Sequence, residues 1–367
     1  MALNAWFCRI ATGEVVAPAF LADGSRFTLQ LGGGTMSASL LLSKYARPNA
    51  SPDPAVIEQL LGYVTGGQYT LLLTDGQTVV GEWLIWTHQR GGSGPGVPFT
   101  GIPWEKYPKY RSVFNTTNVE NVDAGEVHSL SLHRAYNLFQ PNNAELVTVP
   151  TPRFGKKVTL KVPIRTAYYS EIVDDMDQLA LAEWQVVPSV TWRDGAPVKV
   201  SRRVVYAMPR FQSAQPDLLV QPGLGQRGGN VTDVTRHNDY SRVTRAVIGW
   251  GAGEGGKQRF VEELQSGWTQ AGFISITRNV NFPGELSDSQ LSAKARGELA
   301  ASQTYWDPTT LTIDTRRMST LPTLGGTHQL EVGPSWAFPS GWSARVRIGS
   351  ITYTTGSDFV ALEVEEI

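Results

Sequence analysis

The chain has 367 residues, about two to four domains at roughly 100–200 residues each, and its 32 basic and 33 acidic side chains leave a net charge of −1, so no positive excess draws it to a phosphate backbone. Hydrophobic residues make up 41% and charged residues only 18%, against about a quarter charged in ordinary globular chains. Gly (37), Pro (22) and Trp (11) are abundant, a mix that suits short strands joined by many turns and excludes a helical bundle.

The N-terminal run from Ala5 to Ile10 reads as a strand that buries Cys8, the single cysteine, as an inert thiol. One cysteine allows no intrachain disulfide, so the chain is not built around an oxidising compartment. The N-terminus lacks a charged region followed by an apolar core, which reads as no signal peptide. No run of about 18 apolar residues reads as a membrane span. The expectation is synthesis in the cytoplasm, with exit by lysis.

Phe27 to Leu31 alternates apolar with polar, after an Asp23-Gly24 hairpin signal, and Met36 to Leu42 resumes the extended pattern beyond Gly32-Gly33-Gly34. Pro52 and Pro54 open a helix over Ala55 to Tyr63, with Ser51 as its cap. Gln68 to Leu73 and Thr78 to Thr87 flank the turn Asp75-Gly76 as a hairpin with two apolar arms. The linker-like stretch from Gly91 to Gly96 sets the first domain boundary.

Further along, Val158 to Ile164 predicts a strand, and Ser170 caps a helix over Glu171 to Trp184. Asp174, Asp175 and Asp177 fall in that helix's first turns, where the dipole favours acids. Val190 to Arg193 and Pro197 to Val200 flank Asp194-Gly195, a further hairpin signal, and Val204 to Met208 extends the β pattern. A Pro/Gly-rich loop spans 215–230. Ser241 to Trp250 reads as a strand, Gln258 to Gln265 as a short helix, and Phe273 to Val280 as a strand. Ser287 with Gln290 is a capping box for a helix over Asp288 to Gln303. The end is β again, at Leu311 to Thr315, Gln329 to Val332, Ala344 to Thr354 and Phe359 to Val364. The fold class is therefore mainly β with some α (α+β).

Two stretches match the dinucleotide spacing G-x-G-x-x-G. Gly223, Gly225 and Gly228 follow Gln221-Pro222 with no helix behind them, so their context fails. Gly251, Gly253 and Gly256 follow a strand and precede a short helix, but Glu254 inside the loop would repel a pyrophosphate. A flexible β-connection is the reading there. His88, His128, His133, His237 and His328 are scattered, no nucleophile elbow or Walker loop is present, and adjacent acids such as Glu262-Glu263 do not face each other on a regular element. The adjacent bases Lys156-Lys157 and Arg202-Arg203 read as solvated strand edges. No catalytic residue, metal or cofactor is expected. The aromatic residues fill cores or anchor interfaces, and the positions singled out for assembly contacts or loops are Trp83, Trp86, Trp104, Trp250, Gly251, Gly253 and Gly256.

Three pieces together carry a resemblance. They are the hairpin from Tyr69 to Trp83, the strand Ser241 to Trp250 running into the glycine-rich 251–256, and the helix Ser287 to Ser302 followed by a β segment ending Ala361-Leu362-Glu363-Val364. In this order they resemble the baseplate hub, or minor tail, proteins of long-tailed siphophages, actinobacteriophage-like ones above all. The resemblance implies a virion protein at the tail tip, with two tube-forming β-barrel domains (1–92 and 191–286), a mixed α/β domain (97–190) and a helix plus C-terminal β domain (287–367).

It implies a homotrimer whose six barrels match the six-fold tail tube above and the three-fold tip below. Its neighbours would be the distal tail, tail tube, tape-measure and tip or fibre proteins, and genome DNA would pass through its channel without specific binding. A closed ring needs heterologous contacts that close, and a lumen for DNA should lack strong positive charge, as the net charge of −1 suggests. The alternatives are a distal tail or receptor-binding tip protein, or a carbohydrate-binding β protein with tryptophan platforms.

Overall fold

The computed structural model describes residues 3–46, 53–89, 96–138, 145–208, 210–211, 213–214, 218–220, 229–236, 244–251, 258–264, 277–282, 288–303, 309–318, 320–334 and 338–367. The chain divides into two units, Met1–Val234 with Leu311–Ile367, and Thr235–Thr310.

The larger unit runs β1 (Leu3–Arg9), β2 (Val15–Ala19), β3 (Arg26–Gln30), β4 (Thr35–Leu41), α1 (Pro54–Val64), β5 (Tyr69–Asp75), β6 (Thr78–His88), β7 (Gly96–Pro103), β8 (Thr117–Asp123), α2 (Ala124–Asn137), β9 (Lys157–Val162) and α3 (Tyr169–Ala180). It continues through β10 (Glu183–Arg193), β11 (Ala196–Ala207), β12 (Ser213–Ala214), β13 (Leu218–Val220) and β14 (Val231–Arg236). The smaller unit holds β15 (Ala246–Trp250), β16 (Phe260–Leu264), β17 (Thr277–Asn281) and α4 (Asp288–Gln303). The chain then returns to the larger unit as β18 (Thr309–Asp314), β19 (Gly326–Val332), β20 (Trp342–Thr354) and β21 (Phe359–Glu366).

One sheet dominates the larger unit, in the order β14-β18-β21-β20-β3-β4-β7-β6-β5-β1-β2, with β19 beside β20 and with β12 and β13 on β19. No pairing among the described residues joins β14 to β2, so the sheet does not close, and the expected barrels are not seen as closed barrels. The antiparallel pairing of β20 with β3, Ser350 opposite Gln30 through Thr354 opposite Arg26, binds the last strands of the chain to the first. Strands β6 and β7, on either side of the stretch 91–96 where a domain boundary is expected, pair antiparallel in this sheet, and residues 90–95 between them lie outside the described residues.

Strand periodicity explains most of the pattern. Phe7, Phe27, Leu71, Leu73, Trp83, Ile348 and Leu362 point into one core. Leu72, between Leu71 and Leu73, packs on the opposite face against Cys8 and Val200. That is why β5 reads as a continuous apolar run: it is covered on both sides. The Asp194-Gly195 hairpin forms between β10 and β11 with both turn residues left-handed, φ 52° and 78°. Those are the signs a type I′ turn demands. Asp23-Gly24 makes a turn but no hairpin, since β2 pairs with β1, and the Gly24 N–H bonds the Thr355 carbonyl at 3.0 Å.

The helices depart further from expectation. Helix α1 is capped by Asp53, whose side chain accepts from the Ala55 N–H at 2.9 Å; Ser51 lies outside the described residues. Helix α2 has no apolar stripe in the sequence, because its buried face includes Gly125, His128, Ser129 and Ser131. Helix α3 starts at Tyr169 and stops where Leu181 turns left-handed at φ 53°, which sends Trp184 into β10 and not into the helix.

In the smaller unit β15 lies between antiparallel β16 and parallel β17. Val247, Val261, Val280, Phe282, Leu291, Ala295 and Leu299 form the core between this sheet and α4. The helix expected over Gln258 to Gln265 is therefore the strand β16. Val261 turns inward while Phe260 and Leu264 are exposed, a period of two. Ser287, the expected cap of α4, lies outside the described residues.

Candidate functional site

The chemistry-bearing side chains of the larger unit converge on buried polar knots that lock strands together. The main one forms where β6 meets β11. Glu82 follows the inward face of β6 and Arg202 that of β11, between inward Val200 and Val204. Arg202 Nε donates to Glu82 Oε2 at 2.8 Å and Nη2 to Oε1 at 2.7 Å, a two-point pairing of guanidinium and carboxylate. Trp104 Nε1 donates to Oε2 at 3.2 Å and the Thr70 hydroxyl donates to Oε1. The Arg202 guanidinium also lies 4.8 Å from the centre of the Trp104 ring and reaches the Ile10 carbonyl at 3.3 Å. Both Glu82 oxygens thus accept two bonds each and every Arg202 nitrogen donates, the kind of compensation that lets two charges persist in an interior.

A second knot joins the start of β10 to the C-terminal strands. Arg347, buried on β20, donates through Nη1 to Glu365 at 2.7 Å, through Nη2 to Glu183, and through Nε to the Phe211 carbonyl at 2.9 Å. Glu183 also accepts from the Phe211 N–H at 2.9 Å.

A third sits between α2 and α3. His128 Nε2 lies 3.0 Å from Asp177 Oδ1, a close polar contact that is not an aligned hydrogen bond. The other Asp177 oxygen accepts from Trp184 Nε1 at 2.9 Å. Phe154, Trp184 and Tyr206 enclose the imidazole edge-on, with ring centres 5.2–5.8 Å away. Asp123 caps α2 and accepts backbone N–H bonds from Gly125, Phe154 and Gly155 at 2.8–2.9 Å. Burial alone would raise this carboxyl, but the Phe154, Gly125 and Gly155 donors, aided by Lys157, outweigh it and hold it below the usual carboxylate range.

These knots revise several sequence readings. Arg202 is buried and not a solvated strand edge, whereas Arg203, facing the other way, is exposed. Period-two alternation from Val200 to Val204 was the signal that places Arg202 inside. Helix α3 begins at Tyr169, so Asp174 and Asp175 fall in its second turn, while Asp177 lies beyond it and serves His128 and Trp184. Nothing in the sequence pairs Glu82 with a residue 120 positions away; the fold does.

The positions expected at assembly surfaces divide. Trp83 and Trp104 are fully buried and belong to this chain's own core and polar knot. Trp86 is 37% exposed and sits 4.5 Å, centre to centre, from Tyr110, which is 53% exposed, so the two form a surface aromatic pair. In the smaller unit, Trp250 packs on the exposed Phe260 at 5.4 Å and bonds Asn279 at 3.2 Å. Gly251 prolongs β15, its N–H on the Arg259 carbonyl at 2.8 Å. Gly253 and Gly256 lie outside the described residues, as do Gly223, Gly225 and Gly228. A strand, β16, follows 251–256, so the strand–loop–helix context of a dinucleotide loop is not met. Among the described residues no three His, Cys, Asp or Glu side chains stand together as metal ligands. No helix among the described residues is long and apolar enough to cross a membrane. Cys8 is buried, and desolvation, then the nearby Glu82 charge, pushes its thiol far up, away from the reactive thiolate.

No protein-family model matches the chain, and no curated protein matches it. Solved structures do. The tail protein from Neisseria meningitidis MC58 superposes with a TM-score of 0.60 at 10% identity, over 100% of this chain and 97% of that one. The 43 kDa tail protein of prophage MuSo2 from Shewanella oneidensis gives a TM-score of 0.59 at 8% identity, over 99% and 98%. At such identities the likeness is one of fold: this chain has the fold of phage tail proteins.

Proposed function

We propose that this chain is a structural virion protein of a phage tail, and specifically the trimeric hub at the distal end that adapts the six-fold tube to a three-fold tip. The observation that carries the reading is the end-to-end likeness to two tail proteins, at least 97% of each chain being covered. A shared domain alone would leave part of one chain unmatched. That the tail is a long, siphophage one, actinobacteriophage-like, is part of the same proposal and rests on the sequence pattern of the Tyr69 to Trp83 hairpin and the pieces after it.

The polar knots fit a scaffold better than a catalyst. Glu82, Arg202 and Arg347 are spent on hydrogen bonds within the chain, each guanidinium nitrogen donating to a residue of the same chain. In the proposal, three copies contact one another heterologously around a channel that DNA traverses without specific binding, and the distal tail, tube, tape-measure and tip or fibre proteins are the neighbours. The exposed Trp86–Tyr110 pair is the anchor we assign to these contacts, since aromatic side chains are enriched at the energetic centres of interfaces. The carbohydrate-platform alternative loses ground because Trp83, Trp104 and Trp184 are buried. Light scattering of the purified chain across a concentration series tests the trimer: a mass of three chains supports it, and a mass of one at every concentration removes it.

A further inference from the structure

Strands β10 and β11 form a two-stranded sheet of their own. One face packs inward: Trp184, Val186 and Val204 enter one core and Val200 another. Alternation turns the intervening residues the other way. Val187, Ser189, Thr191 and Arg193 on β10, and Lys199, Ser201, Arg203 and Val205 on β11, are all exposed.

The register sets Ser189 opposite Ser201, Thr191 opposite Lys199 and Val187 opposite Arg203. Residues two apart on a strand stand about 7 Å apart on one face. Arg203, Ser201 and Lys199 therefore line up along β11, and Ser189, Thr191 and Arg193 run beside them on β10. These six positions hold three cations and three hydroxyls. Ser189 Oγ and Ser201 Oγ lie 2.8 Å apart. Their bond uses one hydroxyl proton and leaves the other for an outside acceptor.

Arg193, Lys199 and Arg203 take part in no ion pair among the described residues. Two acids border the face. Glu14 lies across an antiparallel bridge from Lys199, and its carbonyl accepts the Arg9 N–H at 2.8 Å; Asp194 stands in the turn. Glu183, at the base of the hairpin, is bonded to Arg347 and to the Phe211 N–H. Arg9, Arg193, Lys199 and Arg203 against Glu14 and Asp194 leave the face and its border at +2, on a chain whose net charge is −1.

We propose that this face of the hairpin is a sequence-independent contact for the phosphate backbone of double-stranded DNA. Arg, Lys, Ser and Thr are side chains that reach phosphate oxygens, and such contacts position a protein without reading bases. Donors at regular spacing on an open ribbon suit a regular row of anions better than the scattered carboxylates of a folded protein. The three cations would each displace a counterion, so the logarithm of the binding constant should fall against that of salt with a slope of about −2.7. The contact is a property of the single chain and does not depend on the trimeric assembly.

The test is fluorescence anisotropy of short labelled duplexes on the full chain. Saturable binding is expected at about 20 mM salt, equal for two unrelated sequences, and roughly 500-fold weaker at about 200 mM. The combined change Arg193→Gln, Lys199→Gln and Arg203→Gln should abolish it, while Lys44→Gln, at an exposed base away from the hairpin, should leave it unchanged. Lysine acetylation of the wild-type chain, read by mass spectrometry, covers the case in which the triple variant misfolds: DNA should shield Lys199 and not Lys44. Absence of saturable binding at low salt, binding retained by the triple variant, or equal shielding of both lysines overturns the proposal. So does polyglutamate that competes as well as DNA of equal charge, since the face would then suit an acidic protein.

Discussion

The carboxylate of Glu82 and the guanidinium of Arg202 meet in a two-point pairing at 2.7 and 2.8 Å, 120 residues apart in sequence and both buried. The pair fastens the β10–β11 hairpin to the main sheet. Removing one partner strands a charge in the interior, whereas removing both does not. Arg202→Met is therefore expected to lower stability by roughly 3–5 kcal/mol. The double change Glu82→Met with Arg202→Met should cost less than that single change, in urea unfolding followed by tryptophan fluorescence. A double variant as damaged as the sum of the singles would refute this view of the knot.

Neighbouring tryptophans on β6 should behave oppositely. Trp83 fills the core against Phe27, with ring centres 5.3 Å apart, so Trp83→Ala should cost about 3–5 kcal/mol. Trp86→Ala on the exposed pair should change subunit stability by less than about 1 kcal/mol yet weaken self-association. Urea midpoints and sedimentation equilibrium read the two effects separately. An unchanged association constant for Trp86→Ala would exclude this pair as the anchor.

Asp123 gives the fold an acid limit. Its carboxyl is held below the ordinary value in the folded chain, so as pH falls below about 4 the unfolded chain takes up the proton first. The stabilisation is fully present above the unfolded value and is lost as pH drops through the lower, folded one. Asp123→Asn, which keeps one acceptor for the cap, should flatten this acid limb in thermal melts between pH 5 and pH 2. An unaltered slope would mean that Asp123 is not the group responsible.

Leu181 ends α3 in the left-handed region at φ 53° and is largely exposed. A side chain there costs about 1–2 kcal/mol and glycine relieves it. Leu181→Gly should raise the urea midpoint, the gain being about 1 kcal/mol after the extra freedom of the unfolded chain is subtracted. Leu181→Val should lower it.

The strands were legible in the sequence because period two survives burial: Phe27, Trp83 and the Asp194-Gly195 turn stand where alternation and turn chemistry put them. Helix α2 was not legible, since a face of Gly125, His128, Ser129 and Ser131 gives no apolar stripe. Strand β16 was misread as a helix because Phe260, Val261 and Leu264 also fit helical spacing over five residues, and only pairing with β15 decides between the two. The polar knots were hidden for a different reason. Glu82 with Arg202, and Arg347 with Glu183, are long-range pairs, and no local pattern encodes a partner more than a hundred residues away.

A trimeric hub is a ring with a hole through it. Two-dimensional class averages of the purified chain by electron microscopy address it most directly. The proposed hub gives a ring of three copies around an open channel. A population of single copies with no channel, at concentrations where the chain is folded, would contradict it.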